Sequence, residues 1–313
     1  MIQAWYPAQP ARHRPTAPYM SPSSARALEA AFDARRGSLS AVVTHARLEA
    51  SALIRPEGWP LILFSHGRNG NRTNLTAVAE DLASHGFVVV GVDHTYDSFA
   101  VQFPDGRTAT ANRPAVYDDA VLAEEVAVRA ADLRFVLDQV LADRAVRRIS
   151  GRVSHHRIGV FGHSLGGATA AELLRTDRRV RAGSNLDGAF ATTSSTLATP
   201  RPFLLYTRPD HHGTWTRWAA EQRAWGRHLV VAGTGHFSFT DFDTLAEAIG
   251  VVRHPAFFGT ITPGRTTELD RAYLRAFFQH HLRHRPTRLF DQPVDPEVTV
   301  NATAPDVHPA RRG

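Results

Sequence analysis

A serine that could act as a nucleophile lies in the segment Gly162 to Gly166, which reads Gly-His-Ser-Leu-Gly. In a sharp turn from a strand into a helix, glycines two residues before and after the serine leave room for the neighbouring chain, and the serine hydroxyl is exposed. An apolar run precedes this segment and an alanine- and leucine-rich run follows it, which predicts that strand and that helix. The pattern therefore favours Ser164 as a nucleophile over an idle serine in a glycine-rich turn.

A serine hydroxyl is a weak nucleophile at neutral pH, so it needs a base within hydrogen-bond reach and a carboxylate that orients the base. Among the 17 histidines, His236 is the best placed, because it follows the last apolar strand within a run of small residues. We predict that His236 is the base, with an ordinary loop histidine as the alternative.

Two aspartates are candidates for the carboxylate. Asp187 ends the strand that follows the nucleophile helix, and Asp210 comes one strand later. Either aspartate gives the chain order Ser, Asp, His that is typical of α/β-hydrolases. The topology of that fold alone favours Asp210, so the residues leave the choice open.

The oxyanion of a tetrahedral intermediate needs backbone N–H donors, each of which contributes about 3 kcal/mol in comparable sites. One donor should be the amide of Leu165, directly after the serine. The second should come from the loop after the earlier strand, where the run 64–70 contains a His-Gly turn. We assign the amide of Arg68, with a simple turn as the alternative.

Strands and helices alternate along the chain, which predicts a mostly parallel central sheet with helices on both faces. The predicted fold class is α/β, an α/β-hydrolase fold in a single domain. It would span residues 1–313, with an irregular covering segment at 7–38 and a surface tail from about 285 to 313. The predicted strands are 41–47, 61–64, 87–92, 157–161, 180–186, 203–207 and 228–232, and the main predicted helices are 25–32, 74–84, 118–142 and 267–282.

Composition excludes several classes of function. All 36 basic residues are arginines scattered among 30 acidic residues, so no nucleic-acid partner is expected. Without cysteine, the chain has no disulfide, thiolate metal site or cysteine nucleophile. The start lacks a signal-peptide pattern, and no apolar run approaches the roughly 20 residues of a membrane span. A cytoplasmic location is expected, with secretion as the alternative if the true start lies upstream.

The chain resembles a known family, the platelet-activating factor acetylhydrolases of the plasma and intracellular lipase-like type, together with their bacterial relatives. The resemblance covers most of the chain. Its motifs are Trp5-Tyr6-Pro7, Phe64-Ser65-His66-Gly67, Phe103-Pro104-Asp105-Gly106-Arg107, the segment 162–167, Leu186-Asp187 and the segment 235–242.

The resemblance implies a serine-dependent carboxylic ester hydrolase that needs no cofactor and no metal. It also favours Asp187 as the acid, because the family's acid stands 23 residues after the serine, as Asp187 does here. The expected substrate is a short-chain or lipid-like small-molecule ester, with transient contact to a lipid surface. The alternatives are an acyltransferase or thioesterase with the same triad, and a non-catalytic binding protein.

The family usually has an apolar residue where this chain has Arg68. Its side chain could meet an anionic group of a substrate or pair with a nearby acid. For the substrate pocket we expect His163, Phe237, Phe190 and Trp215, with an ordinary core role as the alternative for the aromatic residues. Phe99, Phe103, Trp218 and Trp225 are further aromatic candidates.

Paired histidines raise the question of a metal site. They occur at 155–156, 211–212 and 280–281, and His284 shares a helix face with His280. Because the Glu of a His-Glu-x-x-His motif is missing, a solvated helix face is the preferred interpretation.

Overall fold

The structure is a computed structural model that describes residues 1–112, 118–142, 153–191, 195–210, 212–292 and 294–303. Parts of the segment 94–117, for which no strand or helix is predicted, and of the predicted tail 285–313 lie outside these residues, as does His211. The strands are β1 (Ile2–Trp5), β2 (Thr16–Pro18), β3 (Val43–Arg47), β4 (Trp59–Ser65), β5 (Val88–Val92), β6 (Ala100–Gln102), β7 (Thr108–Thr110), β8 (Val153–His163), β9 (Val180–Leu186), β10 (Phe203–Thr207), β11 (Gly226–Val231) and β12 (Val298–Ala302).

Helices connect most of these strands, and each predicted helix is present with shifted ends. They are α1 (Pro22–Ala31), α2 (Thr76–Ser84), α3 (Asp119–Ala142), α4 (Leu165–Thr176), α5 (Gly213–Glu221), α6 (Phe242–Ile249), α7 (Pro255–Phe258) and α8 (Arg265–Arg283).

Eight strands form the central sheet, in the order β1-β5-β4-β8-β9-β10-β11-β12. The six inner strands run parallel, whereas β1 and β12 pair antiparallel at the two edges. The mostly parallel α/β fold is therefore confirmed. Two details differ: β3 pairs with β2 outside this sheet, and β12 lies in the segment predicted as a surface tail.

Side chains alternate between the two faces of the central sheet along each strand. Helices cover both faces. On β4, Ile62 and Phe64 contact one cluster of buried residues together with α2 and α8. Leu61 and Leu63 contact the opposite cluster with α3, α4 and α5. Apolar runs without polar alternation, such as β5, are typical of strands buried in this way.

The register of the sheet brings the candidate site residues to the same end of the parallel strands. Ser65 at the end of β4 is level with Gly162 on β8, and His163 is level with Leu186 on β9. The turns after β4, β8 and β9 therefore lie side by side at the carboxyl ends of parallel strands, where ligands bind in open α/β sheets.

Candidate active site

Ser164 lies between the end of β8 and the start of α4, with φ 56° and ψ −125°. This positive φ is unfavourable for a residue with a side chain, and such strain is found at functional sites. A Cβ on Gly162 would lie 2.2 Å from the carbonyl of Gly166, and a Cβ on Gly166 would lie 2.0 Å from the carbonyl oxygen of Ser65. The two glycines are therefore required for the close approach of strand and helix.

Replacement of Gly166 with alanine should destabilise the protein by about 3 kcal/mol, since the added methyl group overlaps backbone that cannot shift freely. Thermal unfolding with a matched Gly213→Ala variant tests this expectation, because a Cβ on Gly213 meets no atom within 4 Å. Equal midpoints for the two variants would contradict the steric argument.

The three residues predicted as a triad form a continuous chain of hydrogen bonds. His236 Nε2 is 3.0 Å from Ser164 Oγ, and His236 Nδ1 is 2.6 Å from Asp187 Oδ2. His236 follows β11 in a short 3-10 turn that ends at Phe239. This geometry lets the imidazole accept the serine proton on one nitrogen while the carboxylate holds the other.

Asp187 is the carboxylate in contact with His236. Its side chain has no exposed surface, and it has a φ of 56° in the turn after β9. Asp210 is instead exposed and forms an ion pair with Arg208. The structure thus brings to His236 the aspartate that the family resemblance favoured, and not the one that strand topology favoured.

The loop after β4 approaches the serine closely, because a Cβ on Gly67 would lie 3.3 Å from Ser164 Cβ. The carbonyl of Gly67 accepts a hydrogen bond of 2.6 Å from His66 Nδ1, and it also lies within reach of the buried guanidinium of Arg129. In a trans peptide the N–H points opposite to the preceding C=O. The Gly67 carbonyl is therefore held by buried partners, and the Arg68 amide points the opposite way from it.

The second predicted oxyanion donor is the amide of Leu165, the first residue of α4. The first amides of a helix have no partner within that helix, and the helix dipole favours negative charge at this end. The assignment of the Leu165 and Arg68 amides to an oxyanion hole stays a prediction.

His163 contacts the backbone of His236. It is buried, and its Nε2 donates to the backbone carbonyl of His236 at 2.9 Å. Desolvation, with a smaller contribution from the nearby His236, holds the pKa of His163 well below its usual value. A neutral His163 positions the His236 backbone without adding a charge to the site.

A second Ser-His-Asp chain lies behind the loop after β4. His94 contacts Ser65 Oγ at 2.9 Å and Asp132 at 2.8 Å. Ser65 has no exposed surface, whereas Ser164 is partly exposed. Exposure, and not the hydrogen-bond pattern, therefore distinguishes Ser164 from Ser65.

A cavity of about 440 Å³ opens onto Ser164 and His236. His163 and Phe237 line it, as predicted. The sequence reasoning missed most of the apolar wall, which comes from α1, α6, α7 and the segment between the last two. Its further apolar members are Leu28, Phe32, Phe242, Val251, Val252, Phe257 and Phe258. A larger groove of about 610 Å³ near β1 contains none of the triad residues.

The prediction that Phe190 and Trp215 line the pocket is wrong. Phe190 is buried in the core and stacks on Trp218 with a centroid distance of 6.2 Å. Trp215 is buried as well, and its indole N–H donates to the carbonyl of Gly188 at 2.8 Å. Trp215 therefore holds the turn next to Asp187. Trp218, Trp225, Phe99 and Phe103 also lie outside the cavity lining.

The Arg68 side chain lies at the cavity and forms an ion pair with Glu125 of α3 at 3.5 Å. Of its two predicted roles, pairing with an acid is the one the structure contains. Among the described residues, no group of three or more His, Asp or Glu side chains could hold a metal ion. His280 contacts the carbonyl of Arg285.

Across the parts of the chain that the structure describes, no helix combines the length and the apolar composition needed to cross a bilayer.

Several known proteins are similar to this chain over most of its length. The family of platelet-activating factor acetylhydrolase, isoform II, matches residues 20–135 and 134–295. A probable 1-alkyl-2-acetylglycerophosphocholine esterase of Arthroderma benhamiae is 29% identical over 297 residues, covering 85% of this chain and 74% of the relative. The platelet-activating factor acetylhydrolase of Cavia porcellus is 30% identical over 260 residues, covering 74% of this chain but only 59% of the relative.

Among solved structures, a ferulic acid esterase from Streptomyces cinnamoneus is similar with a TM-score of 0.82 and 37% identity. The match covers 96% of this chain and 88% of that chain. The family match and the two relatives confirm the family resemblance, and the structural match confirms the α/β-hydrolase fold. The chain belongs to the platelet-activating factor acetylhydrolase, isoform II, family and is a carboxylic ester hydrolase.

Proposed function

We propose that the chain hydrolyses its ester through an acyl-enzyme on Ser164. His236 removes the serine proton as Oγ attacks the ester carbonyl, and it then gives that proton to the leaving alcohol. Water attacks the acyl-enzyme in the second half of the reaction and releases the acid. Asp187 orients His236, and the amides of Leu165 and Arg68 stabilise the oxyanion.

The observation that carries this proposal is the hydrogen-bond chain from Asp187 through His236 to a partly exposed Ser164. Its open end faces an apolar cavity, so an ester carbonyl can be held beside the nucleophile while its chain is buried. Arg208 Nη1 lies 3.2 Å from His236 Nδ1 but does not compete for it. Nδ1 donates its N–H to Asp187 and so cannot accept from a guanidinium, which has only donors.

We propose further that the substrate is a lipid-like or aryl ester whose apolar group fills this cavity. Five phenylalanines line it: Phe32, Phe237, Phe242, Phe257 and Phe258. The names of the relatives support both versions, since one is an esterase of an acetylated alkyl glycerophosphocholine and another is a ferulic acid esterase.

The mouth of the cavity carries exposed apolar side chains, including Val252 and Phe257. This rim supports the expected transient contact with a lipid surface, because large exposed apolar side chains grouped at a binding site favour such contact. The cytoplasmic location stays a prediction.

Activity on p-nitrophenyl esters of increasing acyl length, together with methyl ferulate, tests the substrate proposal. Phe257→Ala should raise KM for the long and aryl esters by about tenfold, because it removes apolar contact area, and should leave the acetate ester almost unchanged. Phe135→Ala is the matched control, since Phe135 is exposed on α3 away from the cavity.

Equal effects of the two phenylalanine variants on every ester would refute the role of the cavity wall. Product analysis with an added alcohol or amine separates hydrolysis from acyl transfer. A transfer product that outcompetes the free acid would favour an acyltransferase.

A further inference from the structure

Arg208 contacts the carboxylate of the proposed triad with both its backbone and its side chain. Its backbone N–H donates to Asp187 Oδ1 at 3.1 Å, and its guanidinium Nη1 donates to Asp187 Oδ2. The same Oδ2 accepts from His236 Nδ1, so two donors that lie 3.2 Å apart converge on one oxygen. Both oxygens of Asp187 are therefore held, which prevents the carboxylate from rotating away from His236.

The sheet places Arg208 at this position. It follows β10, where Tyr206 is level with Leu186 of β9. The residues just after these two strands are Arg208 and Asp187, and the Asp187 amide donates to the carbonyl of Tyr206 at 2.8 Å. Arg208 thus occupies the strand end at which fold topology alone would place the acid.

Asp210 accounts for the orientation of the guanidinium. It accepts a hydrogen bond of 2.6 Å from Arg208 Nε, while Nη1 is directed to Asp187. An arginine presents these donors in a fixed planar fork, so fixing one nitrogen aims the other. Burial disfavours the charge of Arg208, but the two carboxylates outweigh this and raise the pKa of Arg208.

We propose that Arg208 is a positioning residue of the active site, whose guanidinium fixes the Asp187 carboxylate, and that Asp210 acts through Arg208. Asp210 is then not the acid, but it orients the guanidinium that holds the acid. This inference rests on the proposed triad. It adds Arg208, which neither the sequence patterns nor the family comparison points out, and it gives Asp210 a role other than that of the acid.

The first test is an Arg208→Ala variant assayed with a p-nitrophenyl ester. We expect kcat to fall about 10- to 100-fold with KM changed less than about threefold, because a charged hydrogen bond to Asp187 is lost while the cavity is intact. Guanidinium chloride at low, non-denaturing concentration should restore part of kcat in this variant and not raise that of the wild type.

The matched control is Arg179→Ala. Arg179 also bridges two carboxylates, Asp138 and Asp177, and is about as exposed as Arg208. It lies in the turn before β9, at the opposite end of that strand from Asp187. This control should keep the wild-type kcat. Similar kcat values for the two arginine variants, or no rescue by guanidinium, would overturn the proposal.

A double-mutant cycle tests the role of Asp210. Asp210→Asn should lower kcat about threefold in the wild-type background and have no effect when Arg208 is already alanine, because residues in one network are not additive. Independent effects would overturn the indirect role. If Arg208→Ala does not fold, an unchanged kcat in the single variant Asp210→Asn would overturn the proposal that Asp210 acts through Arg208.

The proposed triad and this inference fail in different ways. Hydrolysis that persists in Ser164→Ala refutes the triad. A fully active Arg208→Ala variant beside an inactive Ser164→Ala variant refutes the positioning role alone.

Discussion

Replacing Ser164 with alanine lowers kcat for p-nitrophenyl esters by about 10⁴- to 10⁶-fold, because the covalent route is lost and only binding and the oxyanion hole remain. The fold should be unaffected, since the Ser164 hydroxyl points to the cavity and bonds to His236. The variant should also fail to react with a fluorophosphonate probe, which adds to the wild-type protein at Ser164. Intact-mass measurement before and after labelling gives both readouts.

The matched control is Ser65→Ala. Ser65, like Ser164, forms a hydrogen bond to a histidine that is held by an aspartate. It is buried, however, and lies outside the turn between β8 and α4. Its loss should cost about 1 kcal/mol of stability and leave the labelling of Ser164 intact. Probe addition that persists in Ser164→Ala and disappears in Ser65→Ala would show that the nucleophile has been assigned to the wrong serine.

The sequence predicts best the features that depend on neighbouring residues. The turn around Ser164 needs small residues at fixed spacing. The helix α3 and the strand β5 also follow from local patterns, which are apolar residues at helical spacing and a continuous apolar run. The antiparallel edge strands β1 and β12 were missed, because each is only four or five residues long. Such a strand is defined by its pairing with a distant partner and not by its own pattern.

The cavity wall is the feature that sequence reasoning could not supply. Aromatic residues predict burial, but they do not show whether the buried surface faces the core or a cavity. Trp215 follows β10 closely and still faces the core, whereas Phe32 follows α1 near the start of the chain and lines the cavity. The wall is built from segments that meet only after folding.

Of the two candidate aspartates, only the family's spacing between serine and acid favoured Asp187. Asp187 and Asp210 both follow strands of the sheet, and nothing in their local sequence shows that the first turns its carboxylate to His236. The reason is the three-dimensional path of the turn, in which Asp187 has a positive φ and Asn185 bonds to both the N–H and the C=O of Gly188.

Replacing Asp187 with asparagine should therefore lower kcat by about 10⁴-fold at neutral pH, because an amide N–H beside His236 Nδ1 favours the wrong tautomer of the imidazole. KM should change little, since Asp187 does not line the cavity. The same substitution at Asp210 should cost only about threefold, as expected for a residue that acts through another one. Steady-state kinetics on the two variants measure the ratio directly.

The two substitutions are chemically identical and stand one strand apart, so the comparison isolates position. Asp210 is exposed and its loss cannot leave a buried charge unpaired, whereas Asp187 has no exposed surface and three donors directed at it. A larger loss in Asp210→Asn than in Asp187→Asn would mean that the chain uses the acid position expected from fold topology. In that case Arg208 would have to move aside during the reaction, because it now occupies the path from Asp210 to His236.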